Sequence, residues 1–337
     1  MGELPFVSVL MPVRNEAAYI RRSLEAVLAQ KYPVDLIEII VADGMSTDGT
    51  REIIREIQAD HPTVTLLDNP RMIVATGLNL ATAIALGKIL VRVDGHCEIA
   101  PDYVINCVRH LLEDGVDGVG GSVETVGENE TARAIAAAMS STFGVGGSAF
   151  RTTTDKTMFA DTIPFPAYTR AIVEAAGAYD ETLVRDQDDE YNYRIRKLGG
   201  RLLLAADVGS RYYSRADLPS LWRQYFGYGF WKARVLMKHP RQMKARQFVP
   251  VGLVACLALG IVFSPFSRHA RRLLVATIAS YATASTAASW HVAAQTDRRH
   301  LSKLPVAFAA MHLSYGAGFL AGLARVATEE PRRPDRA

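Results

Sequence analysis

Residues 37–50 read Ile-Glu-Ile-Ile-Val-Ala-Asp-Gly-Met-Ser-Thr-Asp-Gly-Thr. The apolar run over 37–42 has the length and β-branched content of a strand, and it stops at Asp43-Gly44, a turn pair. Ser46-Thr47-Asp48-Gly49-Thr50 then opens a helix over 50–59, with small polar residues where a helix needs a cap. A strand that delivers the chain through a short polar loop into a helix is the start of an α/β unit.

The neighbouring segments repeat this pattern. Residues 6–11, Phe-Val-Ser-Val-Leu-Met, form an apolar run ended by Pro12, and Ala17, Ile20, Leu24, Val27 and Leu28 predict a helix over 16–30 by their spacing. Further on, 64–67 reads as a third strand, 75–86 as a helix and 89–93 as a fourth strand ending at Asp94. The expected class is α/β, a Rossmann-like and mostly parallel sheet with helices on both faces. Polar residues collect just past the strands, at Arg14-Asn15-Glu16, Asp43 and Asp94. In open α/β sheets a ligand sits beyond the carboxyl ends of the strands, so a nucleotide-type ligand is the first expectation. The pattern loosens over 115–207. A Gly-rich strand-like run spans 115–123, loop-like sequence spans 143–166, a helix spans 187–198 and a strand spans 201–205.

The 337 residues carry a formal charge of +3 that conceals two opposite halves. Residues 1–207 hold 19 Lys/Arg against 30 Asp/Glu, whereas 208–337 hold 19 against 5. A basic region suggests nucleic acid or an anionic membrane surface. The nearly uncharged stretches 248–264, 273–294 and 304–326 decide for the membrane and against nucleic acid. The last two are long enough to span; the first is short, so two or three spans are expected. Between Leu218 and Gln247, aromatic residues mix with seven basic residues and no acidic ones, as in a helix lying among lipid headgroups. Cys97, Cys107 and Cys256 have no disulfide or metal spacing, and no signal peptide is read.

Three places carry chemistry. Asp94-Gly95-His96 can turn a carboxylate and an imidazole toward one cation, a donor pair better suited to Mn²⁺ than to Mg²⁺, although such a tripeptide is also a common turn. Asp43 can accept from a base N–H or a ribose hydroxyl, while Asp48 reads as structural. Asp186-Gln187-Asp188-Asp189-Glu190 places four carboxylates in five residues at a helix start. That is more negative charge than capping needs, and crowded carboxylates suit a general base.

Together VSVLMPVRNE (7–16), VADGMSTDGT (41–50), Asp94–His96 and Asp188 resemble the family 2 glycosyltransferases in order and spacing, over about residues 1–235. VDGHCE, FGVGGSAFR, QDDEYNYR and RQYFGYGFWK are most similar to the membrane-attached succinoglycan-biosynthesis glucosyltransferase subgroup. The resemblance implies a GT-A fold, with Pro12, Arg14 and Glu16 lining the nucleotide pocket and Asp43 binding the uracil–ribose part. It places Asp94 on the first carboxylate of the Asp-x-Asp motif and His96 where the second, metal-binding one is usual. It makes Asp188 the base, with Asp189 as its rival, and sets Arg223 and Lys232 over the diphosphate and acceptor.

The expectation is therefore an inverting glycosyltransferase. It moves a sugar, glucose by subgroup resemblance, from a UDP-sugar to a hydroxyl of a polyprenyl-diphosphate-linked saccharide at the cytoplasmic side of the inner membrane. The alternatives are a polyprenyl-phosphate sugar transferase and a nucleotide-binding membrane scaffold without catalysis. The expected organisation is a catalytic domain over 1–215, a basic aromatic interface segment over 216–247, membrane helices over 248–326 and a polar tail over 327–337.

Overall fold

The computed structural model describes residues 3–153 and 155–328, so nearly all of the polar tail lies outside the described residues. The chain gathers into two compact units, Met1–Val126 with Ser148–Tyr213, and Gly127–Gly147 with Ser214–Ala337.

The first unit opens as the apolar runs predict: β1 (Val7–Val13), α1 (Ile20–Leu28), β2 (Ile37–Asp43), α2 (Thr50–Asp60), β3 (Val64–Asp68), α3 (Val74–Ile84) and β4 (Ile89–Arg92). β5 (Cys97–Ile99), α4 (Tyr103–Glu113) and β6 (Gly118–Val126) follow. After α5 (Glu130–Met139) and α6 (Thr142–Val145), which belong to the second unit, come α7 (Ala149–Thr152), β7 (Met158–Phe159), β8 (Ala167–Thr169), α8 (Arg170–Ala176), α9 (Gln187–Lys197) and β9 (Leu202–Tyr213).

Among the described residues the strands form one sheet in the order β3-β2-β1-β4-β8-β6-β9-β5, with β7 also paired to β9. β3, β2, β1 and β4 are parallel. Beyond them the sheet is mixed: β8 runs antiparallel to β4 and β6, β6 and β9 are parallel, and β5 is antiparallel to β9. The parallel arrangement ends there because a parallel neighbour needs a crossover of a dozen or so residues. The link from Arg92 to Cys97 is far shorter, and β5 leaves for the other edge. The chain steps outward from β1 to β3, then returns through α3 to place β4 on the other flank of β1. That reversal opens a crevice at the carboxyl ends of β1 and β4, where such sheets take ligands. Both strands are buried throughout, and Leu10, Ile40, Leu78, Leu90, Tyr168, Tyr191 and Ile195 form a core against α3, α8 and α9.

α1 begins at Ile20, later than the expected 16, because other groups claim the first backbone amides. The N–H groups of Asn15, Glu16 and Ala17 donate to Ser46 Oγ (2.8 Å), Thr50 Oγ1 (2.8 Å) and Asp48 Oδ2 (3.1 Å). Asp48 also accepts from the Thr50 N–H and hydroxyl. It is structural, as expected, but as a tie between two loops as well as at the helix start.

A polar cluster at α4 supplies a stability test. His110 Nδ1 faces Asp114 at 2.6 Å and Nε2 faces Asp207 at 2.8 Å, with Arg109 also paired to Asp207. Burial pulls the imidazole pKa down, but the hydrogen bonds to Asp114 and Asp207 outweigh it and leave the pKa above the ordinary 6.5. A raised folded-state pKa adds stability that is complete below the unfolded value and fades as pH rises through the folded one. The melting-temperature advantage of the wild type over His110→Gln should shrink as pH rises from 6 to 9; an advantage that grows would refute the pairing.

In the second unit α5 and α6 join α10 (Leu218–Lys238), α11 (Ala245–Phe263), α12 (Arg268–Gln295) and α13 (Leu304–Thr328). α10 and α13 pack backbone to backbone. A Cβ on Gly229 would stand 2.0 Å from the Tyr315 carbonyl oxygen, on Gly318 2.1 Å from that of Phe226, and on Gly322 2.3 Å from that of Phe230. Such glycines let two helices approach closely, the usual device of helix pairs in lipid. The aromatic, basic segment is thus a helix packed along α13, burying Leu221, Tyr225, Gly229 and Ala233. Two helices among the described residues, Ala245–Phe263 and Leu304–Thr328, are long and apolar enough to cross a membrane. The first is longer than the short stretch expected there, because the helix begins upstream of 248. Residues 273–294 fall in α12, which is long but diluted by Ala, Ser and Thr.

Candidate active site

The polar residues past β1, β2 and β4 form one connected set of loops. Asp43, at the end of β2, has no exposed surface. It accepts from Arg51 Nη1 (2.7 Å), the Ser46 N–H (3.0 Å) and Ser46 Oγ (2.5 Å), while Arg51 also holds Asp68 at 2.5 Å. Ser46 Oγ in turn accepts from the Asn15 N–H, and Asn15 Oδ1 accepts from the Thr47 N–H at 3.0 Å. In this arrangement the expected Asp43 contact to a base would run through Ser46 or Arg51. Among the described residues, non-glycine residues with positive φ are Asn15 (54°) and Met45 (56°) in these loops, Met72 (60°) after β3, Phe165 (42°) before β8 and Asp186 (59°) before α9. Such conformations cost energy and concentrate at functional sites.

Pro12 lies buried in β1 opposite Ala42, and Arg14 is exposed, its side chain 3.2 Å from where a Gly44 Cβ would stand. Arg14 Nη1 reaches the Met72 carbonyl at 3.4 Å.

After β4 the geometry sharpens. Arg92, 7% exposed, points from the strand end to Asp94 with two hydrogen bonds, Nε to Oδ1 at 2.8 Å and Nη2 to Oδ2 at 3.1 Å. Burial disfavours the charged guanidinium, but the carboxylates of Asp94 and then Asp188 outweigh it and hold Arg92 firmly protonated. One buried cation is therefore coupled to two carboxylates, through direct hydrogen bonds to Asp94 and through charge to Asp188. The Asp94 backbone oxygen accepts from the Cys97 N–H at 3.0 Å and Ser23 Oγ at 3.2 Å, which fixes the turn. Gly95 is required there: a Cβ would meet Val13 Cγ1 at 2.9 Å and Glu16 Cγ at 3.1 Å.

His96 turns back toward the β1 loop, its Nδ1 2.8 Å from Glu16 Oε1, with the Tyr212 ring edge-on at 5.2 Å. Glu16, expected to line the nucleotide pocket, is here the partner of the imidazole.

The carboxylates at the start of α9 are held in different ways. Glu190 is buried and clamped by Arg194 through bonds of 2.8 and 3.0 Å. Asp186 is the N-cap in a left-handed conformation. Asp188 Oδ1 accepts the Asp189 N–H at 2.9 Å, and the Asp188 carbonyl accepts from Asn192 Nδ2 at 3.0 Å. Asp188 also acts electrostatically on Arg92. Arg223 and Lys232 lie on α10 in the second unit, the former exposed and hydrogen-bonded to Ser220 Oγ, the latter buried.

Sequence reasoning missed Arg92. Its signal was an arginine inside the apolar run Ile-Leu-Val-Arg-Val. Asp94, two residues on, shares its face of the extended chain.

Comparison with known proteins decides the family. The model for glycosyl transferase family 2 matches residues 8–177. The succinoglycan biosynthesis protein ExoA of Rhizobium meliloti (strain 1021) is 33% identical over 313 residues, covering 92% of this chain and 93% of that protein. The chain belongs to glycosyl transferase family 2. It is a glycosyltransferase with the GT-A fold. Another relative is the dolichyl N-acetyl-α-D-glucosaminyl phosphate 3-β-D-2,3-diacetamido-2,3-dideoxy-β-D-glucuronosyltransferase of Methanococcus voltae. It is 29% identical over 69% of this chain and 74% of that protein. Among solved structures, the mannosyltransferase PcManGT from Pyrobaculum calidifontis, in complex with GDP-Man and Mn²⁺, superposes with a TM-score of 0.60 at 22% identity. It covers 96% of this chain and 88% of that one. The TarS 1-349 fragment of S. aureus, in complex with UDP, gives 0.51 at 15% identity.

Among the described residues no group of three or more His, Cys, Asp or Glu side chains could hold a metal. The pair Asp94 and His96 nonetheless fits a cation that brings further oxygen ligands with it. Each Asp94 oxygen spends one acceptor position on Arg92 and keeps another, and with Nδ1 on Glu16 the imidazole has Nε2 left for a metal.

Proposed function

We propose that this glycosyltransferase inverts the anomeric centre of a UDP-sugar, UDP-glucose in the first instance, while transferring it to a hydroxyl of a polyprenyl-diphosphate-linked saccharide in polysaccharide synthesis. The observation that supports this is that the one buried guanidinium of Arg92 is hydrogen-bonded to Asp94 and electrostatically coupled to Asp188 as well. On this reading Asp94 is the donor-side carboxylate and Asp188 the acceptor-side one.

Asp188 takes the acceptor proton. Oδ1 already accepts the Asp189 N–H, and Oδ2 is assigned as the proton-accepting atom. Attack comes from the face opposite the leaving diphosphate, which inverts the configuration. Asp94 and His96 Nε2 would hold a divalent cation, Mn²⁺ in preference to Mg²⁺ because of the imidazole. When bound, that ion supplies positive charge to the departing diphosphate. The β1 and β2 loops, locked together by Ser46, Asn15 and Asp48, frame the nucleotide end, with Pro12, Arg14 and Asp43 in its wall and beneath it.

ExoA supports polysaccharide synthesis, and the Methanococcus enzyme, named for a dolichyl-phosphate-linked sugar, supports a lipid-linked acceptor. PcManGT with GDP-Man and Mn²⁺, and TarS with UDP, support a nucleotide-sugar donor and a cation. The two apolar helices support attachment to a membrane, and we assign the catalytic unit to the cytoplasmic face of the inner membrane. A hydroxyl acceptor also suits a carboxylate base, since a lipid phosphate needs no deprotonation.

The test is a screen of radiolabelled UDP-glucose, UDP-galactose and GDP-mannose with membranes containing the full-length protein and Mn²⁺, followed by mass analysis of the labelled lipid. Label from UDP-glucose in a diphosphate-linked saccharide is expected. Label in a monophosphate lipid would replace this reading with polyprenyl-phosphate transfer, and label from none of the donors would leave the scaffold.

A further inference from the structure

We infer that Glu16 is a positioning residue for His96, one that selects the imidazole tautomer able to bind the cation, and not a nucleotide contact. This rests on the proposed function. Glu16 is held in place before it meets the ring: its N–H donates to Thr50 Oγ1 at 2.8 Å, and its carbonyl accepts from the N–H groups of Tyr19 and Ile20 at 2.9 and 2.8 Å. Its side chain lies against the backbone of Gly95, where any Cβ would collide with Glu16 Cγ at 3.1 Å. From there Oε1 reaches His96 Nδ1 at 2.8 Å, with both side chains four-fifths buried.

A carboxylate accepts and cannot donate, so this contact puts the proton on Nδ1. A free imidazole would rather carry it on Nε2. Nε2 is thereby left with a lone pair on the side away from Glu16. Carboxylates behind metal-binding histidines do this work: they fix the tautomer and ring plane and make the coordinating nitrogen more basic. Asp94 is held by Arg92 and His96 by Glu16, so each donor on this turn has its own oriented partner.

The experiment uses full-length protein in detergent, labelled with ¹⁵N-histidine, with His96→Asn identifying the His96 signals. The wild type should show a protonated Nδ1 and an unprotonated Nε2. Glu16→Gln, whose amide oxygen still accepts, should keep that tautomer, and Glu16→Ala should move the proton to Nε2. In parallel, Mn²⁺ binding with saturating UDP is followed by electron paramagnetic resonance. Glu16→Ala should weaken Mn²⁺ about 10–100-fold; Glu16→Gln should weaken it less. UDP binding without metal should be unchanged in both variants. An Nε2–H tautomer or a doubly protonated ring in the wild type would overturn the inference. So would a loss of metal-free UDP binding shared by both variants, the result expected of a nucleotide contact. Absence of Mn²⁺ binding by the wild type would remove the role assigned to the pair, whereas failure of the proposed reaction would appear separately in the donor screen.

Discussion

Asp188→Asn should lower turnover by about 10²–10⁴-fold, the usual contribution of a positioned general base, while leaving UDP-sugar affinity within a factor of two or three. The substitution isolates the proton-accepting function. The Asn oxygen can still take the Asp189 N–H that Oδ1 takes now, and the backbone tie to Asn192 is untouched. What disappears is the charge at Oδ2. Asp189→Asn serves as the comparison and should cost far less. Single-turnover transfer and calorimetric UDP binding measure the two quantities. Retained transfer in Asp188→Asn, or a collapse confined to Asp189→Asn, would take Asp188 out of its role.

The second large effect concerns folding. Asp94→Ala removes the bidentate partner of Arg92, a guanidinium that is 7% exposed and cannot turn to water. Breaking a buried ion pair from one side costs about 3–5 kcal/mol, because the surviving charge stays desolvated. Asp188 still acts on Arg92, which places the expected loss near 3 kcal/mol. Arg92→Met alone should cost less, because Asp94 is 21% exposed and water can reach it. The double variant should be more stable than the sum of the singles predicts, with a coupling of about 1–3 kcal/mol. Urea unfolding of the four proteins, followed by intrinsic fluorescence, completes the cycle. Strict additivity would mean that the two side chains do not stabilise each other.

Much of the first half of the sheet was legible because its strands are short apolar runs bounded by turn residues, and burial on both faces leaves little else such runs can become. The ends of those runs also marked the site, since polar residues directly after a buried strand have few places to go but the crevice. The carboxylate cluster at the start of α9 was legible as chemistry, but its partners were not. Glu190 is paired with Arg194, and Asp188 acts on Arg92 from 96 positions away. The second half of the sheet was harder to read. Strands of two or three residues such as β7, β8 and β5 carry too little periodicity to declare a direction.

By itself the sequence determined that four strand–loop units would align in parallel, that their carboxyl ends would gather Arg14, Glu16, Asp94 and His96, and that the last third would be apolar and basic. Hydrophobic period and turn chemistry are local properties, and they act over a few residues. The tertiary structure alone decided which polar group partners which. It buried Asp43 beneath its loop, paired Arg92 with Asp94 and coupled it to Asp188 through charge, turned Glu16 onto His96 and pressed α10 against α13. Those pairings join residues up to 96 positions apart. No local pattern encodes them, because the energy of a charge or a hydrogen bond depends on what the fold has brought within about 3 Å and on how much water it has removed.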